Sequence, residues 1–308
     1  MPITPTTLIW MDGEFVAWED ARIHVLNPTL HYGWGVFEGV RAYATDRGPA
    51  VFRLTEHVER LFRSARIYLM EPSYTVEQIV EATKELIRRN GVDACYIRPF
   101  FYLGYGEMGL NPLPSAISAA IACWPWGSYL GAEALERGAR AAVSSWQRIG
   151  PNTIPPAGKA TGQYLNSSLA KVAALKAGYD EAIMLTPDGR VAEGSGENVF
   201  IVTGGRLLTP PLVDGVLAGL TRDAVMTIAR DEGYEVLESS LTRTDLYLAE
   251  EAFFTGTAAE VVPLVEVDDR PVGSGRPGPI TRRLVELFGQ VTRGELDRYK
   301  AWNDYVGD

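Results

Sequence analysis

The sequence predicts an α/β chain, α+β where hairpins mix with helices, built as two domains. Three observations carry this. Stretches with apolar residues at helical spacing alternate with short apolar runs bounded by glycine, proline and Asp-Gly turns. A length of 308 residues suits one large domain or two ordinary ones. A turn-rich connection, PWGSYLGAEALERG, separates two strand-like stretches, which places the domains at 1–125 and 138–308 with an interdomain loop over 126–137.

Taken in order, LIWMDGEFVAW sets Asp12-Gly13 between two apolar, aromatic runs, the signature of a two-residue β-hairpin. Over 55–70, Val58, Leu61, Phe62, Ala65 and Leu69 recur at helical spacing. TVEQIVEATKELIRRNG is a second helix: Thr75 and Gln78 make a capping box, and Gly91 stands at the C-terminal glycine position. ACYIRPFFYLGYG and AISAAIACW read as strands joined by the loop GEMGLNPLP. Beyond the connection come a strand at 139–146, the loop NTIPPAGKATGQYLN, and a helix from about Gly162 to Ala177 stopped by Gly178. EAIMLTPDGRVAEGSGENVFIVTGGRLLTP is a run of short strands turned at Asp188-Gly189 and Gly204-Gly205. LTRDAVMTIARDEG is a helix, EVLESSL and EAFFTGTAAEVVPLVEV are strands, and GPITRRLVELFGQVTRGEL is a terminal helix.

Hydrophobic residues at 46% and charged residues at 22% are ordinary for a soluble globular protein and enough for a sizeable core. The net charge of −10 argues against a surface that holds nucleic acid or an anionic membrane, though not against a local basic pocket. No basic-then-apolar leader opens the chain and no apolar stretch is long enough to span a bilayer, so the expectation is a cytoplasmic protein. Cys95 and Cys123 lie in apolar runs and, with no CxxC pair, read as buried thiols in a reducing compartment. His24, His31 and His57 fall in no HExxH or Cys/His cluster, so no metal is expected. His31 reads as lining a pocket, the other two as structural.

Lys159 is the single charge in NTIPPAGKATGQYLN. Desolvation lowers an amine's pKa and lets it attack a carbonyl, although on this segment alone a solvated loop lysine is the commoner case. Glu193, in VAEGSGENVF, sits among small residues before an apolar strand. It reads as a solvated turn or as a buried carboxylate facing a cation such as a pyridinium. In GVLAGLTRDAV, Thr221 opens a helix whose first N–H groups attract an anion. In FFTGTAAEVVP, Thr255, Gly256 and Thr257 form a tight polar turn able to do the same. Each feature is common as ordinary structure. Together they fit one cofactor, pyridoxal 5′-phosphate, which needs an amine for its aldehyde, a charge at its ring nitrogen and an anchor for its phosphate.

The motifs HYGWGVFEGVRAY, CYIRPFFYLG, VSSWQRIGPNTIPPAGKATGQYLNS, EGSGENVF, LAGLTRD and TGTAAEVVP follow one another along the chain. On them the chain resembles, over essentially its whole length, the fold-type IV pyridoxal-phosphate enzymes, and within them the branched-chain amino acid aminotransferases. The resemblance implies a small α/β N-terminal domain and a larger cofactor-binding domain with a β-barrel-like core. It implies that Lys159 bonds the cofactor aldehyde and shuttles a proton between the substrate α-carbon and the cofactor C4′. Glu193 would pair with the ring nitrogen and Tyr164 would hydrogen-bond the phenolic oxygen. Arg60, Leu220, Thr221 and Thr257 would hold the phosphate. The amides of Thr257 and Ala258, helped by the Tyr96 hydroxyl, would hold the substrate α-carboxylate. Tyr32, Phe37, Trp126 and Tyr129 would form an aromatic wall. Tyr32 and Arg98 would meet the distal carboxylate of glutamate, with Arg41 supporting this region.

The implied reaction is ping-pong transamination of leucine, isoleucine and valine with 2-oxoglutarate. The implied assembly is a homodimer or a hexamer, with Met108 reaching the neighbouring subunit. The chain departs from the family pattern at Trp34, where a smaller residue is common, and at Gly158, where alanine is often found. The first is expected to reshape the pocket entrance. The second is expected to matter less, because glycine accepts the geometry alanine adopts. Sister activities of the fold stay open, namely D-amino acid or (R)-amine transaminase and aminodeoxychorismate lyase. From other classes, a cofactor-free Schiff-base enzyme and a metabolite-binding protein are the remaining readings.

Overall fold

The computed structural model describes residues 3–126 and 137–307, so Tyr129 and most of the expected interdomain loop lie outside the described residues. The chain divides into two compact units. One comprises Met1–Gly127, Gly158–Gln163 and Val291–Asp308; the other comprises Ser128–Ala157 and Tyr164–Gln290.

The first unit is built on an eight-stranded sheet among the described residues, ordered Asn303–Tyr305, Gly48–Phe52, Val40–Thr45, Cys95–Leu103, Ile117–Trp124, Leu8–Met11, Glu14–Ala17, with Gly35–Phe37 pairing Cys95–Leu103 off that path. The first hairpin turns where Asp12 and Gly13 take φ of 46° and 98°, the left-handed pair that a two-residue turn needs. Register Met11↔Glu14 closes it. Two amphipathic helices cover the sheet. Leu54–Ile67 and Val76–Asn90 bury Val58, Leu61, Ala65, Ile79, Leu86 and Ile87 against Ile97, Phe101 and Ile121. The second helix starts on the Thr75–Gln78 capping box and stops at left-handed Gly91. Cys95 and Cys123 are both buried in this core.

The second unit is a nine-stranded mixed sheet among the described residues, ordered Val191–Gly194, Glu181–Leu185, Ala139–Val143, Glu260–Val267, Glu251–Gly256, Asn198–Thr203, Arg206–Thr209, Val236–Glu238, with Arg270–Pro271 paired to Glu260–Val267. Ala139–Val143 runs parallel to both of its neighbours, so helix Tyr164–Lys176 carries the chain across to Glu181–Leu185. Helix Leu220–Asp231 packs against strand Glu251–Gly256. Phe200 and Phe253 stack at 4.9 Å in the interior of this sheet.

Two local expectations shift. The helix after Lys159 begins at Tyr164, because Ala160–Gly162 is drawn out along Gly33–Val36: Ala160 bridges Val36, and Gly162 N–H donates to the Gly33 carbonyl at 3.1 Å. The helix Pro279–Thr292 is not the last element. A 3₁₀ turn, Asp297–Trp302, leads to strand Asn303–Tyr305, which pairs antiparallel with Gly48–Phe52.

Candidate active site

In the first unit, Lys159 is fixed through its backbone. Its N–H donates to Ser64 Oγ at 3.0 Å, and its carbonyl accepts from the Phe37 N–H at 3.0 Å. Ser64 comes from helix Leu54–Ile67 and Phe37 ends strand Gly35–Phe37, so two regular elements locate the lysine. Its ammonium stands 5.3 Å from the Phe37 ring centroid, a cation–π distance. The Arg98 guanidinium lies 4.5 Å from the same ring centroid and donates to the Tyr96 hydroxyl at 3.2 Å. Tyr96 packs on Trp124 and Trp126, with centroids at 5.1 and 5.0 Å. Lys159, Phe37, Arg98, Tyr96 and Trp126 therefore form one continuous array. A Cβ on Gly39 would come within 2.0 Å of the Tyr96 hydroxyl oxygen, so that hydroxyl's position requires glycine there. Arg41 is the register partner of Tyr96 on the neighbouring strand, with its guanidinium over Tyr43 at 5.4 Å. Tyr32 ends helix Pro28–Tyr32 exposed, its ring 6.2 Å from that of His31, and it is not part of the array.

Arg60 is buried and clamped by Glu38: Nε donates to Oε1 at 2.7 Å and Nη2 to Oε2 at 2.8 Å. His57 Nδ1 sits 2.8 Å from the same Oε2. Burial pushes the Glu38 carboxyl up, but the Arg60 charge and the hydrogen bonds from Arg60 and His57 outweigh it and hold Glu38 well below the usual carboxylate range. His57 is held below its ordinary value, first by burial and then by the Arg60 and Lys159 charges, against the pull of Glu38. His57 is thus a neutral second ligand of Glu38.

In the second unit, buried Glu193 uses both oxygens. Oε1 lies 2.7 Å from Arg148 Nη2, while Oε2 accepts from Asn198 Nδ2 and the Leu217 N–H, each at 3.0 Å. Three donors, one of them cationic, hold this carboxylate in place. Gly219 caps helix Leu220–Asp231 without any capping side chain. A Cβ there would meet Asn198 Oδ1 at 2.0 Å, so the helix start is drawn onto the residue that braces Glu193. Leu220 and Thr221 are buried at that start. Asn198 pairs in register with Thr255, whose buried hydroxyl has no hydrogen-bond partner. Strand Glu251–Gly256 turns back at once, with Thr257 and Ala258 half-buried on the turn and Glu260 at φ 61° closing it. Tyr164 opens its helix half-buried and, with Ser195 and Gly196, lines a cavity of about 200 Å³.

Beneath that loop lies a second acidic pair. Lys171 Nζ is 2.6 Å from Glu181 Oε2, and the Gly196 N–H donates to Glu197 Oε2 at 3.1 Å. Burial, followed by the neighbouring Glu181 charge, pushes Glu197 well above the usual carboxylate range.

Sequence reasoning missed Glu38, Arg148 and Asn198 as partners of the candidate residues. Arg148 and Asn198 stand inside quoted motifs, and Glu38 is in FEGVRAY. A single glutamate inside an otherwise apolar strand pattern was the available signal, because a buried charge needs a partner.

These arrangements suit pyridoxal 5′-phosphate. A braced carboxylate suits a pyridinium nitrogen, and a helix start without a capping side chain suits a phosphate. Residues 35–267 match the class IV amino-transferase family. The branched-chain-amino-acid aminotransferase of Escherichia coli K12 is 48% identical over 97% of this chain and 97% of its own. That of Pseudomonas aeruginosa is 46% identical over the same shares of the two chains. A crystal structure of the Escherichia coli enzyme superposes with a TM-score of 0.96 at 47% identity, covering 98% of this chain and 100% of the other. The T.th. branched-chain amino acid aminotransferase, solved with pyridoxamine 5′-phosphate, superposes at 0.95 with 48% identity, covering 98% and 99%.

Proposed function

The chain belongs to the class IV aminotransferases, and on that premise we propose which of its residues carry the chemistry. The protein is a branched-chain-amino-acid aminotransferase that uses pyridoxal 5′-phosphate. It passes the amino group of leucine, isoleucine or valine to 2-oxoglutarate in two half-reactions. The observation that carries the assignment of roles is the buried Glu193 carboxylate with its three donors.

Bound pyridoxal 5′-phosphate supplies an aldehyde for an amine and an electron sink for the charge left when the substrate α-proton departs. Lys159 Nζ would be the amine that holds that aldehyde and, when freed, the base that carries the substrate α-proton. Glu193, braced by Arg148, would pair with the ring nitrogen. Tyr164 holds the phenolic oxygen. Glu38 aims Arg60 at the phosphate, and the amides at Leu220 and Thr221, with Thr257, complete its seat. The Thr257 and Ala258 amides and the Tyr96 hydroxyl hold the substrate α-carboxylate. Phe37 and Trp126, with Tyr129, give an apolar wall for leucine. Arg98 receives the distal carboxylate of glutamate at the edge of that wall, and Arg41 supports the Tyr96 strand. One pocket thereby accepts both partners of the exchange.

No helix among the described residues is long and apolar enough to cross a membrane, and the cytoplasm is the proposed compartment. A homodimer or hexamer is the proposed assembly, with exposed Met108 on a contact loop; sedimentation of the purified protein decides it. The function itself is tested by the visible spectrum of the cofactor-loaded protein. Leucine and glutamate are expected to bleach the aldehyde-form band, and D-alanine and 1-phenylethylamine to leave it. A band that leucine leaves intact would sink the substrate assignment.

A further inference from the structure

Trp34 and Gly158, the two departures from the family pattern, meet through a third residue, Tyr68. The Trp34 indole N–H donates to the Tyr68 carbonyl at 3.1 Å, and the two rings stand edge to face at 5.9 Å and 81°. On the other side of Tyr68 lies Gly158. A Cβ there would sit 2.7 Å from Tyr68 Cε2 and 3.6 Å from Cδ2, with Ile67 Cδ1 at 3.5 Å. Gly158 is buried and is not among the glycines with positive φ, so the backbone itself would accept alanine. The Tyr68 ring is what excludes it. The expectation that the change at 158 matters less, because glycine accepts the geometry alanine adopts, concerns the backbone; the contact with Tyr68 is one that sequence alone does not show.

Tyr68 has little freedom to withdraw. It caps helix Leu54–Ile67, whose end is locked by three hydrogen bonds: Tyr68 N–H and Met70 N–H to the Ala65 carbonyl, each at 3.0 Å, and Leu69 N–H to the Arg66 carbonyl at 3.3 Å. Leu69 takes the left-handed φ of 55° that such an end requires, a position usually given to glycine. The same helix supplies Ser64 to the Lys159 N–H, and Gln163 Nε2 donates to the Gly158 carbonyl at 2.7 Å. The Gly158–Lys159 peptide thus runs between a fixed ring and three hydrogen bonds, counting that from Phe37.

We propose that Tyr68, clamped by Trp34, is a positioning residue for Lys159. Its ring fills the volume of a side chain at 158 and so sets the line along which the lysine backbone runs. Trp34 and Gly158 are in consequence a matched pair: a bulky 34 demands a glycine at 158. This rests on Lys159 being the amine that bonds the cofactor.

The test uses cofactor-loaded wild type, Gly158→Ala, Trp34→Thr and the double variant. Two readouts are taken: the pH midpoint of the visible band of the lysine–cofactor bond, and the rate of the leucine half-reaction. Gly158→Ala is expected to move the midpoint and slow the half-reaction about tenfold or more, since small misplacements of a reacting group are costly. Adding Trp34→Thr is expected to return both readouts toward wild type, a coupling that independent sites do not show. A Gly158→Ala protein with wild-type midpoint and rate overturns the proposal, as does a double variant whose effects merely add. Should Gly158→Ala fail to fold, Trp34→Phe keeps a ring but loses the N–H donor. It is expected to shift the midpoint with little change in Tm, and an unmoved midpoint overturns the proposal. Lys159→Ala separates the two levels. If wild type shows the band and Lys159→Ala does not, the role of the lysine stands whatever the Gly158 variants do. If wild type never shows it, that role fails and the positioning proposal falls with it.

Discussion

Arg148 Nη2 lies 2.7 Å from Glu193 Oε1, with both side chains less than a tenth exposed. An ion pair in such a place is paired or it is expensive. Arg148→Met leaves Glu193 buried with two neutral donors. The expected cost is about 3–5 kcal/mol of folding stability, read from urea unfolding of the cofactor-free protein, together with weaker cofactor binding read by fluorescence titration.

Glu193→Gln keeps the shape and removes the charge. The ring nitrogen then has no anionic partner, and the leucine half-reaction is expected to slow by about 100-fold or more in stopped-flow absorbance. A variant within threefold of wild type, at saturating cofactor, would show that Glu193 is only structural.

Acid weakens the first unit through Glu38 and His57. The unfolded chain binds the Glu38 proton more tightly than the folded chain, so the ionised group stabilises the fold above its ordinary 4.5, and that stabilisation is lost as pH falls below it. His57 acts in the same direction below its ordinary 6.5, because unfolding lets it take a proton that burial denies. Urea midpoints measured from about pH 7 down to about pH 4 are expected to fall, more steeply at the end. Glu38→Gln should flatten the lowest part of that curve while lowering the whole of it, since Arg60 loses its partner.

Alkali acts on the second unit with the opposite sign. The folded chain binds the Glu197 proton more tightly than the unfolded chain does. Its stabilisation is full below the ordinary 4.5 and drains away as pH rises through the elevated folded value. The groups facing Glu197 are Glu181 and Lys171, and Lys171 is already paired to Glu181. Glu197→Gln, neutral at every pH, is expected to remove part of the loss of stability that urea midpoints show as pH rises above 4.5. An unchanged curve would mean that Glu197 ionises in the folded state without penalty.

The proposed role of Arg98 is to separate the two substrates. Arg98→Met retains a stem against Phe37 but lacks the charge for a distal carboxylate. The glutamate half-reaction should lose about tenfold or more in kcat/KM while leucine stays within about threefold. Equal losses for both would place Arg98 in support of Tyr96 and not at the substrate.

The features legible in the sequence are those decided by neighbours along the chain. The Asp12-Gly13 turn, the Thr75–Gln78 capping box and the Gly91 stop each depend on a few adjacent residues, and each stands where the pattern puts it. The apolar periodicity of Leu54–Ile67 and Val76–Asn90 likewise announced two helices. The short strands Val40–Thr45, Gly48–Phe52 and Asn303–Tyr305 escaped notice. Their pairing partners, not their own composition, make them strands.

By itself the sequence determined the residue types needed for the chemistry: an amine in an uncharged loop, a carboxylate among small residues, a glycine-led helix start, and the motifs that mark the family. Only the tertiary structure decided how those groups are held. The Lys159 segment is sewn to Gly33–Phe37, with Thr161 Oγ1 donating to the Gly33 carbonyl across 128 positions of sequence. Glu193 is braced because Arg148 and Asn198 arrive beside it from other parts of the second unit. A Cβ at 158 would meet the Tyr68 ring at 2.7 Å. Charge state and excluded volume depend on what surrounds a group in three dimensions, and no local pattern along the chain encodes that.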